Sequence, residues 1–325
     1  MTEPDHPVHG GDLAFATARY GESPEGWLDL STGVNPHPYP VTPDLLRPEM
    51  LHRLPEMQEL SALEDAARTA YDAASNASVV AVPGSEIAIR LMPRVAPAKG
   101  PAFILSPTYS SHRAAWPSAA LAATEDVIPD GAIAILGNPN NPDGRLMSRE
   151  RVVALARRLR WLVVDEAFAD VAPDASLLPE LPGNALVLRS FGKFYGLPGL
   201  RLGFVFGPAD TCVRIRATLG DWAVSGPAIA AGKAALSDTA WRDAMRIQLG
   251  AEASALASLL TVHGLRVIGR TALFVLAATD DAPRLHAGLA KRGVWTRAFA
   301  EEPTWLRFGL PGKDFKRLEQ ALGGL

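Results

Sequence analysis

Short apolar runs that do not alternate with polar residues, separated by stretches of helical spacing, constrain this chain more than any other feature. They fall at residues 78–82, 102–105, 132–136, 162–164, 185–188 and 203–206. A strand with water on one face alternates apolar and polar side chains. Continuous runs rich in Val and Ile therefore predict strands covered on both faces. Helical spacing over 56–74, 86–95 and 148–160, the last with Ser148 placed to cap its first turn, puts helices between them. This alternation predicts an α/β fold: a large domain with a mainly parallel central sheet sandwiched by helices. After Ser225-Gly226-Pro227 the character changes. A helix to Leu236, a long helical pattern over 241–263, an apolar stretch over 265–277, a helix over 283–292 and a strand over 305–310 predict a smaller α+β domain. The Gly- and Pro-rich first forty or so residues predict an irregular arm with no core of its own. The expected division is 1–44 for the arm, packing on the active site and small domain, 45–236 for the large domain and 237–325 for the small one.

A chain of 325 residues, 48% of them hydrophobic, can bury one large core and a smaller one. Its 32 basic and 35 acidic residues form no long run of either sign, which offers neither nucleic acid nor an anionic membrane a broad electrostatic footprint. A small-molecule partner is expected instead. The most apolar long stretch, 249–262, is interrupted by Glu252 and patterned as an amphipathic helix, so no membrane span is expected. Cys212 is the only cysteine, and the first residues lack a charged segment followed by an apolar one. A cytoplasmic protein without disulfides is expected, and no metal.

The segment that carries chemistry is Ser190-Phe191-Gly192-Lys193-Phe194-Tyr195-Gly196-Leu197-Pro198-Gly199-Leu200-Arg201-Leu202-Gly203, directly after the run 185–188. A lysine at a strand end, where open α/β sheets bind ligands, can serve as a nucleophilic amine once partly desolvated; otherwise it is a surface lysine in a glycine-rich loop. Upstream, Trp161-Leu162-Val163-Val164-Asp165-Glu166 is an apolar strand ending in an acid. Such an acid suits a protonated ring nitrogen, a magnesium ion or solvent. The nucleotide-hydrolase reading lacks its Gly-x-x-x-x-Gly-Lys-Ser/Thr loop. Asn138-Pro139-Asn140-Asn141-Pro142-Asp143-Gly144 is a turn that also offers an amide donor at Asn141. Val82-Pro83-Gly84-Ser85 passes from strand to helix, where free N–H groups and a hydroxyl make a phosphate cradle that Ser190 and Arg201 could complete.

These segments, in this order, resemble the fold-type I pyridoxal phosphate enzymes, in particular the branch containing histidinol-phosphate aminotransferase, over nearly the whole chain. The resemblance implies pyridoxal 5'-phosphate as cofactor. It implies Lys193 as the catalytic Schiff-base lysine, Asp165 as the ring-nitrogen partner, Asn141 as the donor to the phenolic oxygen and Tyr109 as the ring stacked on the pyridine. Gly84, Ser85, Ser190 and Arg201 would hold the cofactor phosphate. Arg307, in Trp305-Leu306-Arg307-Phe308-Gly309, resembles the clamp for the substrate carboxylate. Arg297 resembles the position that takes phosphorylated substrates. A homodimer is implied as well. The chain departs from the pattern at Phe168 and Leu54, where tyrosines are usual, and at Gly192, where serine or threonine is usual.

The amino-terminal residues sharpen the resemblance. His9-Gly10-Gly11-Asp12-Leu13, Leu30-Ser31-Thr32-Gly33-Val34-Asn35-Pro36 and Tyr39-Pro40 are similar to the threonine-phosphate decarboxylases of cobalamin biosynthesis. This implies His9, Gly10 and Asn35 as further substrate contacts. The implied reaction is decarboxylation of L-threonine O-3-phosphate to (R)-1-aminopropan-2-ol O-phosphate, a linker in cobalamin. An aminotransferase of the histidinol-phosphate type is the alternative, since either outcome follows from which bond at Cα stands perpendicular to the pyridine plane. A pyridoxal-phosphate-binding scaffold without turnover is a remote third.

Overall fold

A computed structural model describes residues 9–96 and 99–324; the first eight residues of the expected arm lie outside the described residues. The strands in chain order are β1 (Leu28–Asp29), β2 (Ser78–Val82), β3 (Ala102–Leu105), β4 (Ala120–Ala122), β5 (Ile133–Gly137), β6 (Trp161–Asp165), β7 (Ala185–Ser190), β8 (Gly203–Gly207), β9 (Arg266–Thr271), β10 (Phe274–Ala278), β11 (Val294–Trp295), β12 (Arg297–Ala298) and β13 (Trp305–Gly309). The helices are α1 (Leu13–Tyr20), α2 (Met57–Ala70), α3 (Ser85–Val95), α4 (Ser110–Ala115), α5 (Arg149–Arg158), α6 (Phe191–Phe194), α7 (Ala209–Leu219), α8 (Gly226–Ser237), α9 (Thr239–Val262), α10 (Ala282–Ala290) and α11 (Phe315–Gly323). Two compact units result. One comprises 9–37, 142–144 and 246–324, the other 38–141 and 145–245, less the undescribed residues.

The second unit is built on a seven-stranded sheet of order β2-β8-β7-β6-β5-β3-β4. β3, β4, β5, β6 and β7 run parallel, whereas β8 is antiparallel to both its neighbours. The expected mainly parallel sheet is therefore present. The short edge strand β4, too brief to leave a pattern, adds to it. On one face Val80, Val82, Ile133, Ile135, Val163, Leu186, Leu188 and Val205 pack with Ile89 and Met92 of α3 and Ile215 of α7. Their neighbours Val79, Ala81, Ala134, Leu136, Leu162, Val164, Val187 and Phe206 are buried too. Burial on both faces is the physical reason the runs do not alternate.

The first unit carries a four-stranded antiparallel sheet of order β12-β13-β10-β9. The apolar stretch 265–277 is thus a hairpin. Leu276 pairs with Gly269 while Ala277 pairs with Val267, so Ile268 is an extra residue bulged out of β9. The expectation of a wholly irregular arm is corrected here. Asp12 Oδ1 accepts the Phe15 N–H at 2.9 Å and starts α1, and Gly21, at φ 86, follows its last turn. Ala16 packs on Ala290 and Trp295, and Leu13, Phe15, Tyr20 and Trp27 surround them. β1 then pairs in parallel with β11, Leu28 opposite Val294. The arm has elements of its own because a capped eight-residue helix can bury one apolar stripe against Trp295. No helix among the described residues is long and apolar enough to cross a membrane.

Candidate active site

In the second unit the ends of three strands meet. Gly203, the first residue of β8, pairs with Val82 at the end of β2 and with Ser190 at the end of β7. This follows from β8 running against both neighbours, which brings its start to their finish. Gly84, at φ 88, turns the chain from β2 into α3, and a Cβ on it would lie 2.5 Å from Arg201 Nη2. A Cβ on Gly203 would lie 2.8 Å from the Ser85 nitrogen and 2.9 Å from the Arg189 oxygen. Arg201 is itself left-handed at φ 52, and its Nη1 donates to Pro198 O at 3.0 Å. No side chain among the described residues caps α3 at Gly84. A helix start without a side-chain acceptor, a hydroxyl at Ser85 and a guanidinium within reach of Gly84 fit a phosphate. Gly84, Ser85, Ser190 and Arg201 are thus brought together.

Lys193 sits just past the end of β7 on α6, a single helical turn, between buried Phe191, Phe194 and Tyr195. The Tyr39 N–H donates to Tyr195 O at 2.9 Å, tying the Tyr39-Pro40 segment to the end of that turn. Lys193 Nζ lies 5.9 Å from the centroid of Phe168, itself buried. The residue at the usual tyrosine position thus offers the lysine an apolar wall. A Cβ on Gly192 would come within 2.7 Å of Pro198 Cα, so this packing has no room for the usual serine or threonine. Leu54, by contrast, is 61% exposed.

Asp165 ends β6 and is buried. Its Oδ2 lies 2.9 Å from His112 Nε2, and its Oδ1 accepts the Ala167 N–H at 3.0 Å. His112 was missed in the sequence. It stands on α4 three residues after Tyr109, a spacing that places two side chains on one helical face and could have drawn notice. The two rings are 6.2 Å apart and nearly perpendicular. Burial is the main cause that pushes the Tyr109 phenol above its ordinary pKa. Beside it, Thr108 Oγ1 is buried with no hydrogen-bond partner among the described residues. The turn before Asn141 is held by Asn138, which bonds both ways with the Met147 backbone, and by Asn140, whose amide donates to Pro107 O at 2.8 Å. An acid backed by a histidine, an aromatic ring, an amide, a lysine and a phosphate cradle together fit a pyridoxal phosphate.

The first unit brings the two substrate arginines together. Arg297 on β12 stands directly opposite Arg307 on β13. Directly opposed residues have Cβ atoms about 4.5–5.5 Å apart, and like charges there destabilise a sheet. Arg307 is buried and donates to Ser31 O at 2.9 Å. His9, Gly10, Ser31, His286, Thr296 and Arg297 are among the residues lining one pocket, with His286 Nδ1 2.8 Å from Thr296 Oγ1. Gly10 lies against Ser31, where a Cβ would come within 2.8 Å of the Ser31 carbonyl carbon. Asn35 is not among the residues lining this pocket. It is buried, and its Oδ1 accepts the His37 N–H at 2.8 Å.

Residues 117–325 match the family model described as aminotransferase class I and II. The chain belongs to the class I and II aminotransferase family. A threonine-phosphate decarboxylase from a Sinorhizobium species is 39% identical over 318 residues, 93% of each chain. One from Pseudomonas aeruginosa is 38% identical over 97% of each. Among solved structures, histidinol-phosphate aminotransferase from Sinorhizobium meliloti in complex with pyridoxal-5'-phosphate superposes with a TM-score of 0.80 at 19% identity. That match covers 100% of this chain and 97% of the other, and shows that the aminotransferase fold is shared.

Proposed function

We propose that this chain is a pyridoxal-phosphate-dependent L-threonine O-3-phosphate decarboxylase forming (R)-1-aminopropan-2-ol O-phosphate. The observation that carries this reading is Arg297 opposite Arg307 in a donor-rich setting, an arrangement that suits a substrate with two anionic groups. The relatives at 38–39% identity bear the name of that activity.

Gly84, Ser85, Ser190 and Arg201 would hold the cofactor's phosphate, Tyr109 would stack on its ring and Asn141 would donate to its phenolic oxygen. Asp165, steadied by His112 and the Ala167 N–H, keeps the ring nitrogen protonated. So held, the cofactor supplies a sink for the electron pair left at Cα when carbon dioxide departs. Arg307 takes the substrate carboxylate, and Arg297 with His9 and Gly10 takes its phosphate, orienting the bond to be broken, while Asn35 acts from outside that pocket by holding the His37 backbone. Lys193 or a water returns a proton to Cα, so one proton is taken up for each carbon dioxide lost.

The test is incubation of the cofactor-loaded protein with L-threonine O-3-phosphate and no keto acid. Sustained carbon dioxide release is expected, and Lys193→Ala should abolish it. No release, together with amino transfer from histidinol phosphate to 2-oxoglutarate, would replace this reading with the aminotransferase. A cytoplasmic homodimer is part of the proposal. Leu51, Leu54 and Met57 are exposed apolar side chains, at 74%, 61% and 64%, interleaved with His52, Arg53 and Glu56, and offer contacts to a second copy. Light scattering should give twice the mass of the chain.

A further inference from the structure

The Asn138–Gly144 turn changes unit in its middle. Asn141 belongs to the unit that carries Lys193, whereas Pro142–Gly144, bonded directly to it, belongs to the unit that carries Arg297 and Arg307. What holds those three residues is a crossing of two bare backbones. A Cβ on Gly269 of β9 would overlap the Asp143 carbonyl oxygen and lie 2.8 Å from its carbon. A Cβ on Gly144, itself at φ 69, would overlap the Arg270 carbonyl oxygen and lie 2.8 Å from the Arg270 nitrogen. Each chain thus presents a glycine to the other. The crossing sits at the bulge in β9, where Ile268 is the extra residue beside Gly269. Bulges and strand glycines are devices by which a sheet lets another backbone come close.

Resting on the assignment of Asn141 to the cofactor's phenolic oxygen, we propose that Gly269 is a positioning residue for Asn141, acting through the main-chain crossing with Asp143 and Gly144. Asp143 is two residues along the chain from Asn141, so a shift of Asp143 is passed on by two planar peptides, and through Pro142, whose ring fixes φ. Nothing in Gly269 itself touches cofactor or substrate.

The test uses the resting holoenzyme and follows the visible absorption of the Lys193 linkage against pH. A donor to the phenolic oxygen draws off negative charge that would otherwise hold the linkage's proton. Loss of that donor therefore raises the linkage's pKa, by about one unit for a hydrogen bond of ordinary strength to a charged group. Asn141→Ala should show this rise, and Gly269→Ala should show most of it. The double variant should go no further than Asn141→Ala, because both remove the same hydrogen bond. Gly144→Ala presses on the same turn from the other side and should agree, which covers a failure of Gly269→Ala to fold. Gly250→Ala, where a Cβ would meet nothing within 4 Å, should titrate as the parent does. If Asn141→Ala shifts the pKa while folded Gly269→Ala and Gly144→Ala do not, the positioning role falls and the assignment of Asn141 stands. If Asn141→Ala itself shifts nothing, both fall.

Discussion

Replacing Arg189 by methionine tests whether the buried charges behind the candidate site hold it in shape. Arg189 precedes Ser190 on β7 and is buried with Glu166 and Asp170. Its Nη1 is 3.0 Å from Glu166 Oε2, its Nη2 3.4 Å from Asp170 Oδ1, and its guanidinium carbon 3.9 Å from the centroid of Tyr71. Removing one partner of a buried ion pair costs about 3–5 kcal/mol because the other charge stays behind. Glu166 would keep the Ser176 hydroxyl at 2.6 Å and the Leu177 N–H at 2.7 Å. Asp170 would lose its ion partner as well, so the loss stays within about 3–5 kcal/mol, or a fall of about 6–20 °C in melting temperature for a unit of this size. Burial already raises the Glu166 carboxyl above its ordinary pKa, and the charge of Arg189 is the foremost influence opposing it. Without Arg189 the carboxyl rises further. A carboxyl whose folded pKa exceeds its unfolded one supports the fold at low pH and loses that contribution as pH climbs through the folded value. The deficit of Arg189→Met should thus be greater at pH 8 than at pH 5, and Glu166→Gln in the same chain should shrink and flatten it. Calorimetry on the parent and both variants at the two pH values decides the matter. A single variant melting within about 2 °C of the parent at pH 8, or equally impaired at both pH values, refutes the reasoning.

Gly84→Ala puts a Cβ 2.5 Å from Arg201 Nη2 at a left-handed φ. Pyridoxal phosphate should bind about 10–100-fold more weakly by equilibrium dialysis, with little change for pyridoxal, which lacks the phosphate. His112→Phe removes the partner of Asp165 Oδ2, and kcat/KM for the decarboxylation should fall about 10–100-fold, the size of one hydrogen bond to a charged group. In an Asp165→Asn background the same change should cost far less. Burial pushes the Cys212 thiol up to about 12. Iodoacetamide at pH 8 should leave it unmodified in the native protein and alkylate it in urea, as read by mass spectrometry.

The central strands were legible because burial on both faces leaves a mark in each run, as in Val163-Val164 of β6. Lys193, Asp165 and Asn141 could be singled out because each stands at the end of such a run or in a turn of unmistakable composition. The edge strand β4 could not be read, having three residues and one buried side chain. Nor could α1, whose Asp12 cap and Gly21 stop flank only eight residues among many turn formers. His112 and Arg189 escaped for another reason. Neither is marked by its neighbours in the chain: His112 matters because β6 brings Asp165 beside α4, and Arg189 because β6 and β7 bring Glu166 beside it. Pairings between distant segments leave no local pattern.

The position of β8 bears on how the chain can be made. β2 has only β8 as a neighbour and β7 needs β8 on its open side, although β2 is complete by residue 82 and β8 begins at residue 203. A growing chain must hold β2 unpaired through the synthesis of the four parallel strands that follow it and of β7. Closing so long a loop is entropically slow compared with joining sequence neighbours. The sheet is therefore completed by its last strand, inserted between the edge strand β2 and β7, and that same step brings Arg201 to Gly84. A chain halted before residue 203 would leave both β2 and β7 open to pairing with other chains.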